Sequence, residues 1–102
     1  MNLPHLFCLT SDRIKISHSQ QVLEFCKAGV RLIQIRSKKL SMKEFLSEAQ
    51  TSVEICQYFE ARLIINDSVE IANSVNAHGV HLGINDMDIS KARDLLGDTK
   101  LI

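Results

Sequence analysis

Hydrophobic residues along this chain form short runs that end in polar residues, and longer segments with a different spacing separate the runs. The runs are rich in branched apolar side chains, which is typical of strands buried in a sheet. Four of them predict strands, at residues 6–10, 31–36, 62–65 and 80–83. Residues 99–102 predict the beginning of a fifth strand.

Between the strands, apolar residues recur three and four positions apart, as on the buried face of a helix. The second helix is the best defined, because Ser41 and Glu44 match the capping box, in which both side chains satisfy free N–H groups at a helix start. The predicted inward positions of this helix are Met42, Phe45, Leu46, Ala49, Val53 and Cys56.

The other three helices have weaker boundary signals. The first is predicted to begin at residues 17–20 and to end at Gly29. The fourth is predicted to open at residues 86–88 and to end at Gly97. The predicted inward residues are Ile71, Ala72 and Val75 in the third helix and Ile89, Ala92 and Leu96 in the fourth.

Strands and helices alternate strictly along the chain, which requires parallel strands joined by right-handed crossovers. No Pro-rich, Ser-rich or charged linker divides residues 1–102. The sequence therefore predicts a single α/β domain, with about four βα units and the start of a fifth strand.

Charge and cysteine content narrow the setting of the protein. Twelve basic residues balance twelve acidic ones, so no overall field attracts nucleic acid or an anionic membrane, and any anion site must be built locally. Cys8, Cys26 and Cys56 lie inside apolar patterns and are expected to be buried thiols in a reducing compartment. Because the sequence has neither a signal-peptide pattern nor an apolar stretch long enough to span a bilayer, we expect a cytoplasmic protein without membrane contact.

Candidate chemistry is concentrated at the ends of the predicted strands, where sheets of this class bind ligands. Arg36 and Lys38 lie two residues apart at the end of the second strand, so both point to one side if the strand persists. Arginine can hold a phosphate through two hydrogen bonds and lysine adds a mobile positive charge, which suits a diphosphate. The alternative is two solvated cations at the start of a loop. Gln34 would point the same way, either to contact a heterocycle or to satisfy a buried neighbour.

Acidic and amide residues end the next two strands. Asn66 and Asp67 follow the third strand and Asp86 follows the fourth, so the two carboxylates would lie on adjacent strands roughly 5 Å apart. Mg²⁺ commonly takes one or two carboxylates together with substrate phosphate oxygens, so Asp67 and Asp86 are candidate metal ligands. Alternatively, each aspartate caps the helix that follows it, and Asn66 closes an Asx-turn.

Other chemistries find little support in the sequence. His81, on the fourth strand, is interpreted as a hydrogen-bonded core histidine rather than as a ligand. The chain contains no G-x-S-x-G, H-E-x-x-H, G-x-G-x-x-G or Walker pattern. The leading hypothesis is therefore an anion and metal site at one edge of the sheet.

Four segments of this chain, in this order, resemble the thiamine phosphate synthase (thiamine-phosphate pyrophosphorylase) family. They are residues 9–13, 33–38, 63–67 and 79–83, and Asp86 follows the last one. The resemblance implies a TIM barrel that joins hydroxymethylpyrimidine diphosphate to a thiazole phosphate with the help of Mg²⁺ and releases pyrophosphate. Because a complete (β/α)₈ barrel has about 200 residues or more, the resemblance covers the N-terminal half of the barrel only.

The resemblance also gives each candidate residue a role. Arg36 and Lys38 would act in catalysis, because preplaced cations stabilise the charge that develops on a departing diphosphate. Ile84 departs from the family pattern, which usually has glutamine at that position. The implied contacts are pyrimidine binding by Gln34, diphosphate binding by Arg36, Lys38 and Asn66, and metal binding by Asp67 and Asp86.

Other hypotheses remain open at this point. A thiazole tautomerase relative would share the barrel, but such proteins generally lack the glutamine and the carboxylate present here as Gln34 and Asp67. A non-catalytic half-barrel would bind the pyrimidine diphosphate without turnover, or would only assemble. Half a barrel also leaves strand edges and an inner face uncovered, so the chain is expected to form a homo-oligomer or to lack its C-terminal half.

Overall fold

The computed structural model describes residues 6–83 and 88–102. Within these ranges the strands form one sheet in the order β1-β2-β3-β4, and all three neighbouring pairs are parallel. The predicted α/β class is confirmed, and the βα units have the order and sense of the first half of a TIM barrel. The elements are β1 (Phe7–Leu9), α1 (His18–Lys27), β2 (Leu32–Ile35), α2 (Met42–Phe59), β3 (Arg62–Asn66), α3 (Val69–Val75), β4 (Gly79–His81) and α4 (Ile89–Leu96).

The predicted fifth strand is present as a single parallel bridge between Leu101 and Gly79. Leu101 N donates to His78 O and Val80 N donates to Leu101 O, each at 2.9 Å. Gly79 permits this close approach, because a Cβ at that position would clash with the backbone of Leu101.

Side-chain caps begin the helices, as the sequence predicts for α1 and α2. Ser41 Oγ accepts a hydrogen bond from Glu44 N at 3.1 Å, and Glu44 Oε1 accepts one from Ser41 N at 2.9 Å, which completes the capping box. Ser17 Oγ accepts from Gln20 N at 3.2 Å at the start of α1. Gly29 follows the end of α1 with a φ of +94°, a conformation that glycine adopts without strain.

The core lies between one face of the sheet and the helices. The central strand residues Ile33, Ile35, Leu63 and Ile65 are completely buried. They pack with helix residues that include Val22, Cys26, Ala49, Val53, Cys56 and Ala72. The alternation of strand side chains therefore leaves Phe7 and Leu9 of β1 on the opposite face, where they are 43% and 42% exposed.

Three predicted inward positions are wrong. Met42 and Ile89 are 62% and 65% exposed, and Leu46 is 40% exposed. Met42 and Ile89 are the first residues of α2 and α4, and Leu46 lies one turn after Met42 on the same side of its helix. Helical spacing identifies the apolar side of a helix, but it does not indicate how far the sheet extends beneath it.

No helix in the described part of the chain combines the length and the hydropathy that a membrane crossing requires.

Candidate active site

Five of the six predicted site residues line one cavity of about 250 Å³ at the carboxyl edge of the sheet. The sixth, Asp86, lies outside the described residues, as does Ile84. The parallel register explains the convergence, because β2 and β3 end side by side and their polar continuations share one edge. The cavity is lined by Leu9, Gln34, Arg36, Lys38, Asn66, Asp67, His81 and Gly83.

An ion pair joins the two strand ends across this cavity. Lys38 Nζ lies 3.0 Å from Asp67 Oδ2, and Asn66 Nδ2 donates to Asp67 Oδ1 at 3.0 Å. The Lys38 and Asp67 side chains are 67% and 40% exposed. Exposed pairs of this kind contribute typically about 0–1 kcal/mol, so a ligand can replace the Lys38–Asp67 contact at little expense.

The helix-cap alternative is wrong for Asp67, and for Asp86 it lies outside the described residues. Ser68 is the N-cap of α3 and accepts from Ile71 N at 3.2 Å, while Asp88 is the N-cap of α4. Asp67 instead adopts a left-handed backbone with a φ of 69°, and its N–H donates to His81 O at 2.9 Å. The strand edge therefore fixes the backbone of Asp67 without using its carboxylate as a helix cap.

Two buried amide oxygens at the site accept no hydrogen bond from the residues that the structure describes. They are Gln34 Oε1 and Asn66 Oδ1. The Asx-turn alternative for Asn66 is accordingly not realised, because such a turn would use Oδ1 as its acceptor. A buried acceptor without a donor costs about 1–3 kcal/mol, so a ligand that supplies a donor or a cation gains that energy on binding.

The donor set at the third strand is compatible with Mg²⁺. The Asp67 carboxylate and the free Asn66 Oδ1 are oxygen ligands, which this ion prefers, and Mg²⁺ usually needs only one or two protein carboxylates. Among residues 6–83 and 88–102, no group of three or more His, Cys, Asp or Glu side chains is arranged to hold a metal ion. A metal bound here would therefore need further oxygen ligands besides those of Asn66 and Asp67.

His81 is exposed and lines the cavity, so its interpretation as a core histidine is wrong. The alternation of β4 buries Val80 toward the helices and turns His81 to the opposite face. The described helices cover only one face of the sheet, so an apolar strand context does not guarantee burial on the other.

A second cavity of about 390 Å³ adjoins the first, and Arg36 and Lys38 line both. Asp12, from the loop after β1, lies in it and accepts from Ser37 Oγ at 2.6 Å and from Lys38 N at 2.7 Å. The Ser37 hydroxyl in particular holds the pKa of the Asp12 carboxyl well below its usual range. Asp12 lies in the first of the four segments that resemble the family, but the sequence predicted no separate role for it. The available signal was its position beside the cationic end of the neighbouring strand.

Comparison with known proteins identifies the family. The family model described as thiamine monophosphate synthase matches residues 6–102. A thiamine-phosphate synthase of Fusobacterium nucleatum is 47% identical over 79 residues, which cover 78% of this chain and 38% of that protein. One of Clostridium acetobutylicum is 38% identical over 104 residues, covering 99% of this chain and 49% of that protein.

A solved structure agrees with these relatives. The thiamine phosphate pyrophosphorylase from Pyrococcus furiosus superposes with a TM-score of 0.81 at 29% identity, over 87% of this chain and 44% of that one. The chain thus spans less than half the length of these relatives. The resemblance found in the four strand-end segments is confirmed, and the chain belongs to the thiamine monophosphate synthase family.

Proposed function

We propose that this chain is the pyrimidine- and diphosphate-binding part of a thiamine phosphate synthase. In the proposed reaction the carbon–oxygen bond to the diphosphate breaks, the hydroxymethylpyrimidine carbon bonds to the nitrogen of a thiazole phosphate, and pyrophosphate leaves. One observation carries the proposal. In a chain of this family, one cavity brings together the described residues that the family motifs assign to substrate and metal binding. They are Gln34, Arg36, Lys38, Asn66 and Asp67.

The cations of the second strand are proposed to act on the leaving group. Negative charge accumulates on the diphosphate as the bond breaks, and fixed positive groups beside it lower the barrier. Arg36 supplies a forked donor, and Lys38 turns from Asp67 to the diphosphate with little loss of energy. Gln34 Oε1 accepts a hydrogen bond from a donor on the pyrimidine.

We propose that Asp67 and Asp86 bind Mg²⁺, with Asn66 beside them. When bound, the ion would neutralise part of the diphosphate charge. The oxygen donors at the end of β3 support this assignment. Released from Lys38, the Asp67 carboxylate can contact the ion, while Lys38 contacts the substrate.

The experiment is calorimetric titration of hydroxymethylpyrimidine diphosphate, with and without Mg²⁺, into the wild-type chain and into Asp67→Ala. We expect Mg²⁺ to strengthen binding to the wild type. Asp67→Ala should reduce this gain in affinity at least about tenfold. Even substitutions of residues that only support a metal ligand commonly lower metal affinity by that factor. Asp98→Ala, which also removes an exposed carboxylate, is the control and should behave as wild type. Binding that Mg²⁺ does not affect would contradict the metal assignment.

Turnover is a separate question from binding. Because the relatives are more than twice as long, we propose that turnover needs either the remainder of the barrel or a second copy of this chain. Metal-dependent binding without pyrophosphate release, in the presence of thiazole phosphate, would favour the non-catalytic half-barrel. Absence of binding would leave a unit that only assembles. We also propose a cytoplasmic setting, which the three free cysteines support.

A further inference from the structure

The backbone of the cationic segment, residues 36–38, is held by side chains from the end of β1. Thr10 Oγ1 accepts a hydrogen bond from Arg36 N at 3.0 Å. Asp12 accepts from Lys38 N at 2.7 Å through one carboxylate oxygen and from Ser37 Oγ at 2.6 Å through the other. Each of the three consecutive residues is therefore fixed by a separate hydrogen bond to a neighbouring loop.

His18, the first residue of α1, joins the two anchoring side chains. The imidazole is buried, with Nδ1 2.6 Å from Thr10 Oγ1 and Nε2 2.8 Å from Asp12 Oδ1. In the tautomer with hydrogen on Nε2, His18 donates to Asp12 and accepts from the Thr10 hydroxyl, so every donor meets an acceptor. Thr10 still accepts from Arg36 N in that arrangement, and the network is continuous from α1 to the cationic segment.

The charge of Asp12 is unfavourable for anion binding at this site. A carboxylate beside Arg36 and Lys38 lowers the local positive potential and weakens the attraction for a diphosphate. Both of its oxygens already accept hydrogen bonds, from His18, Ser37 and the Lys38 backbone, so most of its acceptor capacity is used within the chain. The hydrogen bonds that Asp12 accepts from residues 37 and 38 are the favourable contribution that offsets this electrostatic cost.

We infer that Thr10 and Asp12, oriented by His18, are positioning residues that hold residues 36–38 in the conformation that binds the diphosphate. The inference rests on the proposed function for the identity of the ligand. The ordering of residues 36–38 does not depend on the proposed function, because the loop after β1 and the start of α1 provide it.

The sign of the change in affinity tests the inference. Inorganic pyrophosphate with Mg²⁺ is titrated into the wild-type chain and into Asp12→Asn. If Asp12 were only a nearby negative charge, Asp12→Asn would bind pyrophosphate more tightly. We expect binding to weaken about tenfold or more instead, because the loss of a charged hydrogen-bond acceptor releases the segment. Asp98→Asn removes the same charge elsewhere and should leave the affinity unchanged.

Thr10 provides a test without any change of charge. Thr10→Val removes the acceptor of Arg36 N and should weaken pyrophosphate binding, whereas Thr10→Ser keeps the hydroxyl and should restore it. Unfolding in urea identifies any variant that fails to fold. Should Thr10→Val or Asp12→Asn fail to fold, the pyrophosphate affinities of the conservative variants Thr10→Ser and Asp12→Glu are compared with that of the wild type instead.

Amide hydrogen exchange separates the inference from the proposed function. Exchange at the Arg36 and Lys38 N–H groups should accelerate about tenfold or more in Thr10→Val and Asp12→Asn, with or without pyrophosphate. Unchanged exchange, or tighter pyrophosphate binding by Asp12→Asn, would overturn the positioning role. A wild-type chain that does not bind pyrophosphate would overturn the proposed function, while the exchange rates would still decide the positioning role.

Discussion

His78 ties two strands together at the amino edge of the sheet, opposite the cavity. The imidazole Nδ1 of His78 accepts a hydrogen bond from Leu63 N at 3.1 Å, and the backbone N–H of His78 donates to Leu63 O at 2.9 Å. Burial lowers the pKa of the His78 imidazole, and the positive charges of Lys100 and Arg62 lower it further. A neutral imidazole is therefore part of the folded structure.

This lowered pKa predicts a loss of stability in mild acid. The unfolded chain binds a proton at the ordinary value of 6.5 and the folded chain only at a lower pH. The contribution to the free energy of unfolding is therefore fully present above that value and is lost as the pH falls through the folded pKa. Urea unfolding at a series of pH values measures it.

His78→Asn keeps an acceptor close to the position of Nδ1 and should flatten the pH dependence of stability below the ordinary histidine pKa of 6.5. His81→Asn changes an exposed histidine and should leave the dependence as in wild type. If stability falls with pH in His78→Asn as steeply as in wild type, another group is responsible.

At the scale of single elements, α2 depends on its capping box for its start. Ser41 Oγ and the Glu44 carboxylate each accept a backbone N–H that has no partner within the helix. The hydrogen bond from the Ser41 backbone N–H lowers the pKa of the Glu44 carboxyl most, and the Ser41 side chain lowers it further. The cap is therefore complete above the ordinary pKa of glutamate and weakens as the pH falls below it.

Ser41→Ala should lower the free energy of unfolding by about 1 kcal/mol, the usual loss for an N-cap serine. Ser47→Ala, at an exposed position inside the same helix, should have no effect or stabilise slightly, because alanine has the higher helix propensity. Urea denaturation of both variants provides the measurement. Equal stability of the two would show that the box does not determine the start of α2.

The periodicity of the sequence was sufficient to locate the helices and strands, because their spacing and caps are local properties. It also predicted that Gln34, Arg36 and Asn66 share one edge, since parallel strands end together. The exposure of His81 was missed because it depends on which face of the sheet the helices cover. The His18 network was missed because Thr10, Asp12 and residues 36–38 meet only after two loops have folded.

At the scale of the whole molecule, the two faces of the sheet differ in how well they are covered. The helix side is closely packed, whereas Phe7, Leu9 and His81 on the other side are exposed. In the described chain β1 is also an edge strand, and β4 is extended only by the bridge to Leu101. Exposed apolar side chains beside an open strand edge favour association.

We therefore expect light scattering to report a mass above that of one chain. Phe7→Ser should reduce this association, because Phe7 is 43% exposed on the open face of the sheet. Tyr58→Ser removes a more exposed aromatic side chain from the helix layer, at 83% exposure, and should not change the mass. A compact monomer in the wild type would contradict the expectation.

The contact between Lys38 and Asp67 has a consequence for ligand selection. Because Lys38 and Asp67 neutralise each other, the pair attracts a singly charged anion only weakly. An anion that binds Lys38 alone also leaves the Asp67 carboxylate without its counter-charge. A ligand that arrives with both a polyanion and a divalent cation offers each member a new counter-charge in the same event. The cavity is thus expected to select ligands by the number of charges they carry and by the presence of both signs of charge, in addition to their shape.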